Sequence, residues 1–268
     1  MSAINDSPIR VGNFTSSNIY KLMTVSKSGT DFGVPAITYI HEKNLERKLG
    51  ISLATEINAK ELSWGNLNED RAFNLMGIDY TLSSTMTDTH PTIPFWRGSK
   101  DGTKEVANRA VIDFKCPFTR KSFCGLVMPL YCGLTGMEAM KAIRNGFKHE
   151  VEGKEPEKYP PHPDGDKYYW QLVSNAILNN CNHAELIIYM PYQSELLEIG
   201  EAAKEIEACK WMMYAPGEVP FIPDNGYFKN LNVISFEIPQ EDKDLLTATI
   251  LKAGKMLIEY PVQLNTAA

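Results

Sequence analysis

The sequence predicts an α/β fold with a central mixed sheet flanked by helices. Segments with helical periodicity alternate with β-rich segments along the chain, and no internal repeat interrupts this order. The 268 residues are 43% hydrophobic, which is enough apolar material for the core of one domain. We therefore expect residues 1–268 to form a single α/β domain.

Three helices are predicted in the N-terminal third. Thr15-Ser16-Ser17 offers N-cap hydroxyls for a short helix, and a second helix runs from near Pro35 to Gly50. The third helix begins at Asn58, with Glu61 three residues later as in a capping box. Its apolar residues predict a buried stripe that includes Leu62, Ala72, Phe73, Leu75 and Met76.

The strongest strand signal lies at about 109–116, after a weaker one at 92–98. Because side chains alternate along a strand, Asp113 and Lys115 share one face, while Ile112 and Phe114 point to the opposite face. Pro117 then ends regular pairing.

The C-terminal half continues the alternation. A helix is predicted from Thr135 to Gly146, and the charged, proline-containing segment 150–167 predicts a surface loop or insertion. The remaining predictions are helices near 168–180 and 194–208, strands near 185–190, 211–215 and 232–237, and a closing amphipathic helix from Gln240 to about Tyr260.

Composition limits the function classes. The start of the sequence lacks the features of a signal peptide, and no apolar run of about 18 residues predicts a membrane span. Five cysteines without a C-x-x-C pair fit reduced thiols better than disulfides or a zinc site. These features predict a protein of the cytoplasm, with no membrane partner.

Charge is distributed unevenly. The net charge is −6, which at first disfavours a nucleic-acid partner, but residues 1–150 hold 18 basic and 15 acidic side chains, whereas residues 151–268 hold 9 and 18. A local basic surface can coexist with an acidic exterior. If the protein binds DNA, we expect the N-terminal half to contact it.

Three acids and one lysine are the candidate catalytic residues. Asp101 lies in the glycine-flanked turn Gly98-Ser99-Lys100-Asp101-Gly102, so that Asp101 and Asp113 bracket a predicted hairpin. An Asp-x-Lys pair alone is common on solvated strands, and Asp is an ordinary turn residue. Converging carboxylates repel one another unless a cation joins them, and Mg²⁺ prefers such oxygen ligands. Glu69, Asp101 and Asp113 are therefore the predicted magnesium ligands, and we expect Mn²⁺ to substitute.

Several segments carry a resemblance to a known family. Residues Ile112-Asp113-Phe114-Lys115-Cys116-Pro117 resemble the catalytic strand of lambda-type phage exonucleases, the YqaJ-like viral recombinases of the PD-(D/E)xK nuclease superfamily. Further similar segments are Arg10-Val11-Gly12 with Thr15-Ser16-Ser17, the helix from Asn58 past Glu69, and Tyr168-Tyr169-Trp170-Gln171. Together they span residues 10 to about 190.

The resemblance implies a restriction-endonuclease-like core and an exonuclease that digests duplex DNA from an end, 5′ to 3′, in phage-type recombination. Lys115 would activate water and stabilise charge on the phosphate, and Gln171 would position Lys115 and the nucleophile. Arg10 and Ser17 would bind a terminal 5′-phosphate, and Leu62 would act as a wedge between strands. A ring-shaped trimer, a single-strand annealing protein as partner, and an origin in a bacterial cell or its phage are also implied.

The chain departs from the family pattern at three positions. Lys100 stands where proline is frequent and is expected to loosen the turn, Asp113 replaces the commoner glutamate and could move the metal, and Asn175 replaces a frequent tyrosine. Four of the implied residues also have a simple structural interpretation. Leu62 could be a core residue, Ser17 a helix cap, Arg10 a mobile terminal charge and Gln171 a solvated helix residue. None of the five histidines has ligand spacing.

Other functions stay open at this stage. One is a different PD-(D/E)xK nuclease, either a restriction endonuclease or a CRISPR-associated exonuclease, although the latter expects four cysteines around an iron–sulfur cluster and the spacing here does not supply them. Another is a non-catalytic protein that binds DNA ends during recombination. Retention of three acids with Lys115 disfavours the second alternative.

Overall fold

Three sheets organise the chain, which the computed structural model describes over residues 9–53, 60–83 and 86–259. The central sheet has five strands in the order β10-β9-β6-β5-β2; its β6–β9 pair is parallel and the others are antiparallel. A small sheet has the order β1-β4-β3, and β7 and β8 form a hairpin. The strands are β1 (Phe14–Thr15), β2 (Tyr80–Leu82), β3 (Asp88–Thr89), β4 (Trp96–Gly98), β5 (Gly102–Lys104), β6 (Ala110–Lys115), β7 (Phe147–His149), β8 (Glu157–Tyr159), β9 (His183–Tyr189) and β10 (Leu231–Glu237).

Helices cover both faces of the central sheet. The α-helices are α1 (Val34–Leu49), α2 (Lys60–Asn74), α3 (Arg120–Tyr131), α4 (Gly136–Asn145), α5 (Gly165–Leu178), α6 (Leu196–Lys204), α7 (Trp211–Tyr214) and α8 (Gln240–Gly254). Short 3-10 helices are found at Ser16–Met23, Gln193–Glu195, Glu207–Cys209 and Pro216–Glu218. Within the described residues, no helix is both long and apolar enough to cross a membrane.

Alternation along β6 and β9 divides the core into two layers. Val111, Leu186 and Ile188 join the large core formed with α3, α4, α5 and α8. Their neighbours Ile112, Phe114 and Ile187 point the other way and pack with Ala72 of α2. Burying each large apolar side chain contributes about 1.5–3 kcal/mol, so this alternation fixes which face of β6 points toward α5.

The N-terminal segment is joined to α5 by buried polar contacts. The Ser16 and Ser174 hydroxyls lie 2.7 Å apart, and the Trp96 indole N–H donates to Ser174 Oγ at 2.8 Å. Next to them, the backbone N–H of Thr15 donates to the Tyr39 hydroxyl at 3.0 Å. These contacts place β1 and β4 beside the helix that carries Gln171.

The predicted order of helices and strands largely agrees with the structure, including the mixed central sheet. The predicted cap Asn58 lies outside the described residues. The buried stripe predicted for α2 is only partly correct, because Leu62 and Leu75 are exposed whereas Ala72 is buried.

Two predicted segments differ from the structure. The strand predicted at 211–215 is wrong, because Trp211–Tyr214 forms α7 and packs against α2, where the Trp211 indole N–H donates to Ser63 Oγ at 2.8 Å. The loop predicted at 150–167 contains β8, which pairs with β7.

Helix α3 was not predicted from the sequence. Thr119 caps it by accepting a hydrogen bond from the backbone N–H of Ser122 at 3.1 Å. The spacing of Phe123, Leu126 and Val127, all buried, is the signal that could have revealed this helix.

Gly98 lies where the chain passes from the small sheet toward Asp101. A Cβ atom at this position would overlap Ser16 Oγ and come within 2.6 Å of Asn175 Oδ1. We expect Gly98→Ala to lower the free energy of unfolding by about 1–3 kcal/mol, because these atoms are held by packed elements. Gly77→Ala is the matched control, since a Cβ there meets nothing within 4 Å. Urea unfolding of both variants tests this, and equal midpoints would contradict the expectation.

Candidate active site

The β5–β6 hairpin places Asp101 opposite Asp113. Gly102 pairs with Ile112 in this antiparallel ladder, so one further step along the same register brings Asp101 across from Asp113. The sequence prediction that the two acids bracket a hairpin is therefore confirmed.

Asp101 also completes the hydrogen bonding of β6. Strand β5 starts at Gly102, so residues 113–115 have a strand partner only on the β9 side. The Asp101 carboxylate fills the gap by accepting a hydrogen bond from the backbone N–H of Phe114 at 2.7 Å. Because β5 does not pair with this end of β6, the side chain of Asp113 can contact Gln171 of α5.

Asp113 is fully buried and contacts two other candidate residues. The Gln171 side-chain amide donates to Asp113 Oδ1 at 2.7 Å, and the Lys115 ammonium forms an ion pair with Oδ2. The structure thus brings together Asp113, Lys115 and Gln171, as the sequence predicted. Oδ2 accepts no well-aligned hydrogen bond from a described group, so it retains capacity to bind a cation.

Glu69 approaches the same cluster from α2. Burial, together with repulsion from Asp113, raises the pKa of Glu69 to about 7, although the attraction of Lys115 opposes the shift. Burial and then the charge of Asp113 raise the pKa of Asp101 well above its ordinary value. The three predicted acids are therefore close enough for each to influence the others.

Lys115 balances part of this negative charge. Its burial is the largest single influence and favours the neutral amine, but the attractions of Asp113, Asp101 and Tyr168 together outweigh it and raise the pKa of Lys115. The lysine is therefore a cation held beside buried carboxylates, which suits stabilisation of an anionic substrate rather than proton abstraction.

The donor set fits a hard divalent cation. All three acids offer carboxylate oxygens. Burial is the main cause of the raised pKa values of Glu69 and Asp101, repulsion from Asp113 adds to it, and a bound cation would offset both. Among the described residues, no three acid, histidine or cysteine side chains are already arranged as a metal-ligand set. Magnesium commonly uses only one or two carboxylates with waters and a substrate phosphate, so a subset of these acids is sufficient.

The turn before Asp101 is held firmly, contrary to the expectation that Lys100 loosens it. Lys100 Nζ lies 2.9 Å from Asp88 Oδ2, which also accepts from the Asn179 amide at 3.0 Å. The Asn175 amide donates to the Ser99 carbonyl oxygen at 3.1 Å. Polar contacts to α5 and β3 thus hold the turn without a proline. Lys100 and Asn175, which both depart from the family pattern, take part in these contacts.

The predicted DNA-binding residues lie on neighbouring parts of the N-terminal segment. Arg10 forms no ion pair with another described residue, and burial lowers its pKa. Ser17 is half-buried in the first turn of the 3-10 helix, where Thr15 makes no side-chain cap. Leu62 is 54% exposed on α2, so its alternative interpretation as a core residue is wrong.

Tyr168 is a neighbour of the cluster to which sequence reasoning assigned no role. Lys115 Nζ lies 5.0 Å from the centroid of its ring, a cation–π arrangement. Burial raises the pKa of Tyr168 to about 12. Its place three residues before Gln171 on α5, one helical turn away, was the available signal.

Comparisons with known proteins identify the fold. The structure is similar to that of an alkaline exonuclease (LHK-Exo) from Laribacter hongkongensis, with a TM-score of 0.55 and 15% identity over 92% of this chain and 89% of that chain. It is also similar to a phage-related exonuclease from Haemophilus somnus 129PT, with a TM-score of 0.57 and 14% identity over 91% and 92%. No family model and no curated protein matches the sequence. The predicted α/β fold with a central mixed sheet flanked by helices is thereby confirmed, and the chain shares this fold with these two structures.

The raised pKa of Glu69 predicts a pH effect on stability in metal-free buffer. The folded protein holds a proton at Glu69 up to about pH 7, whereas the unfolded chain releases it near the ordinary value of 4.5. The free energy of unfolding should therefore fall as the pH rises between these values. We expect Glu69→Gln to be more stable than wild type at pH 8 by an amount on the order of 1–3 kcal/mol, and close to it at pH 4.

Urea unfolding with EDTA at both pH values measures this difference. Glu61→Gln, an exposed position on the same helix, is the control and should follow wild type. A Glu69→Gln variant with the same pH dependence as wild type would show that Glu69 is ionised normally.

Proposed function

We propose that this protein is a metal-dependent nuclease that hydrolyses phosphodiester bonds of linear duplex DNA from an end. The observation that carries the proposal is the buried cluster of Asp101, Asp113, Lys115 and Gln171 at the end of β6, with Glu69 beside it. Burying several acids with a lysine costs stability, which a catalytic role would explain. Two solved structures with a similar fold are named as exonucleases.

Magnesium is the proposed cofactor, with Mn²⁺ as a substitute. Asp101 and the buried Asp113 lie across from each other at the end of the β5–β6 ladder, and Glu69 is the third candidate ligand. When bound, the metal supplies a Lewis acid for the phosphate and lowers the pKa of a bound water.

The protein's own residues perform the remaining tasks. Lys115 stabilises the negative charge that develops on the scissile phosphate, and its raised pKa keeps it protonated in that role. Gln171 holds Asp113 through Oδ1 and so fixes the orientation of the other oxygen. The ring of Tyr168, on α5, packs against the Lys115 ammonium and so limits the positions that this group can take.

Polarity from 5′ to 3′ is proposed from the N-terminal segment. Among the described residues, the Arg10 guanidinium has no ion-pair partner and the Ser17 hydroxyl has no hydrogen-bond partner, so both suit a terminal phosphate. The exposed Leu62 suits contact with the bases at a duplex end. Removal of one nucleotide leaves a new 5′-phosphate, so the same contacts can be used again.

Digestion of matched plasmid substrates tests the nuclease. With Mg²⁺, we expect linear duplex to be degraded and supercoiled circles to persist, and no degradation with EDTA. Lys115→Ala should reduce the rate by roughly 100-fold or more while DNA binding stays within a few fold, because the lysine acts mainly on the transition state. Lys148→Ala, exposed on β7, is the control.

Each alternative function has its own result in this experiment. Cutting of circles indicates an endonuclease, and binding to ends without cutting indicates a non-catalytic end-binding protein. Normal turnover by Lys115→Ala would exclude Lys115 from the site.

End preference tests the polarity. Wild type should digest 5′-phosphorylated linear DNA faster than 5′-hydroxyl DNA, and Arg10→Ala should lose this preference with a rate lower by roughly 10- to 100-fold, since hydrogen bonds to charged groups contribute about 1.5–3 kcal/mol. End-labelled duplexes report both rate and direction. Degradation from 3′ termini, or equal wild-type rates on both ends, would contradict the proposal.

Assembly and partners remain proposals from the resemblance. A ring-shaped trimer predicts a mass by light scattering near three times the 30.1 kDa of the chain, which a monomer at micromolar concentration would contradict. A single-strand annealing protein is the proposed partner in recombination, and co-purification with such a protein tests it.

A further inference from the structure

His162 is a buried histidine just before α5 to which sequence reasoning assigned no role. Its backbone N–H donates to the Ile143 carbonyl oxygen of α4 at 2.8 Å, and its own carbonyl oxygen accepts from the N–H of Gly165 at 2.9 Å. Its ring Nε2 lies 2.9 Å from the hydroxyl of Ser122, in the first turn of α3. This one residue therefore joins α3, α4 and the start of α5.

Hydrogen bonding fixes which nitrogen of the His162 ring carries the proton. The backbone N–H of Asp164 donates to Nδ1 at 3.2 Å, so Nδ1 is unprotonated. Burial favours the neutral ring by lowering the pKa of His162, although the attraction of Asp164 opposes this shift. Nε2 then carries the proton and donates to Ser122 Oγ. Because Nε2 is already protonated, the ring cannot act as a base toward Ser122, and the pair is a contact between helices.

The first turn of α5 depends on His162. Asp164 is the N-cap residue of this helix, but its side chain makes no capping hydrogen bond. The Asp164 carbonyl oxygen accepts from the N–H of Tyr168 at 3.0 Å, and its carboxylate accepts from the Tyr168 hydroxyl at 3.4 Å. Since His162 binds the N–H groups of both Asp164 and Gly165, a shift of His162 would also move Tyr168.

Tyr168 connects His162 to the candidate active site. The centroid of its ring lies 5.8 Å from that of the His162 ring and 5.0 Å from Lys115 Nζ. On the same helix, the Gln171 amide donates to Asp113 Oδ1 at 2.7 Å. Helix α5 therefore contacts both members of the Asp113–Lys115 ion pair, and its position affects where the ammonium lies.

We propose that His162 is a positioning residue of the candidate active site. It fixes the first turn of α5, and this turn places the Tyr168 ring against the Lys115 ammonium. The effect on cleavage rests on the proposed function, whereas the position of Lys115 can be measured without cleavage. Displacing a group that stabilises the transition state lowers turnover more than it weakens substrate binding.

Three variants remove these contacts in steps. His162→Ala removes both contacts of the ring. His162→Asn keeps an acceptor for the Asp164 N–H, as in an Asx turn, but is too short to reach Ser122. Ser122→Ala keeps the ring and removes only its partner. The control is His41→Asn, at an exposed position of α1.

The first readout is the Cε–Hε NMR signal of Lys115 in metal-free protein, identified by its absence from Lys115→Arg. The ring current of Tyr168 shifts this signal upfield, and Tyr168→Leu should remove the shift. We expect His162→Ala to lose most of the shift, His162→Asn and Ser122→Ala to lose part of it, and His41→Asn to keep it. A Lys115 signal that is the same in His162→Ala and wild type overturns the proposal.

Urea midpoints show whether each variant is folded. If His162→Ala does not fold, Ser122→Ala decides the question, because it removes one contact and leaves the histidine in place. An unshifted Lys115 signal in folded Ser122→Ala then overturns the proposal.

The second readout is kcat and KM on linear duplex DNA with Mg²⁺. We expect His162→Ala to lower kcat by about 10-fold with KM within about twofold, and His162→Asn to recover part of kcat. In a Tyr168→Leu background the same change should have little further effect, because His162 acts through Tyr168. An unchanged kcat in His162→Ala, or an equal loss in both backgrounds, overturns the proposal. Wild type that shows the expected NMR shifts but never cleaves DNA contradicts only the nuclease function.

Discussion

The hydrogen bond from the Phe114 N–H to the Asp101 carboxylate joins the fold to the candidate site. Strand β5 begins at Gly102, directly after Asp101, so β6 would present an unpaired N–H at this point if the Asp101 carboxylate did not accept a hydrogen bond from it. An unpaired buried N–H costs free energy comparable to a lost hydrogen bond. The same contact sets Asp101 across from Asp113, so the hairpin register that satisfies the backbone also brings the two acids together.

Bringing acids together in a buried place creates an electrostatic cost. The structure offsets part of it with Lys115, whose ammonium contacts Asp113, and with the Gln171 amide. The pKa values of Glu69 and Asp101 are nevertheless raised, mainly by burial and further by repulsion from Asp113. A divalent cation and a phosphate are the ligands that would complete this balance, the first for the acids and the second for Lys115.

The turn between β4 and β5 shows how a departure from a family pattern can be accommodated. A proline would restrict this turn through its ring, whereas here Lys100 binds Asp88 and Asn175 holds the Ser99 carbonyl oxygen. Gly98 leaves the room that Asn175 needs to approach. The position of Asp101 therefore depends on side chains from α5 and β3, which are distant in the sequence but adjacent in space.

The sequence by itself determined the α/β class, most helices, and the shared face of Asp113 and Lys115, because periodicity and alternation are local properties of the chain. The resemblance of its segments to a known family also indicated Glu69, Asp101 and Gln171 as site residues. Tertiary packing is what makes Trp211–Tyr214 a helix, leaves Leu62 exposed and joins Lys100 to Asp88. Each of these features depends on residues far along the chain, so the sequence of a short segment does not predict it.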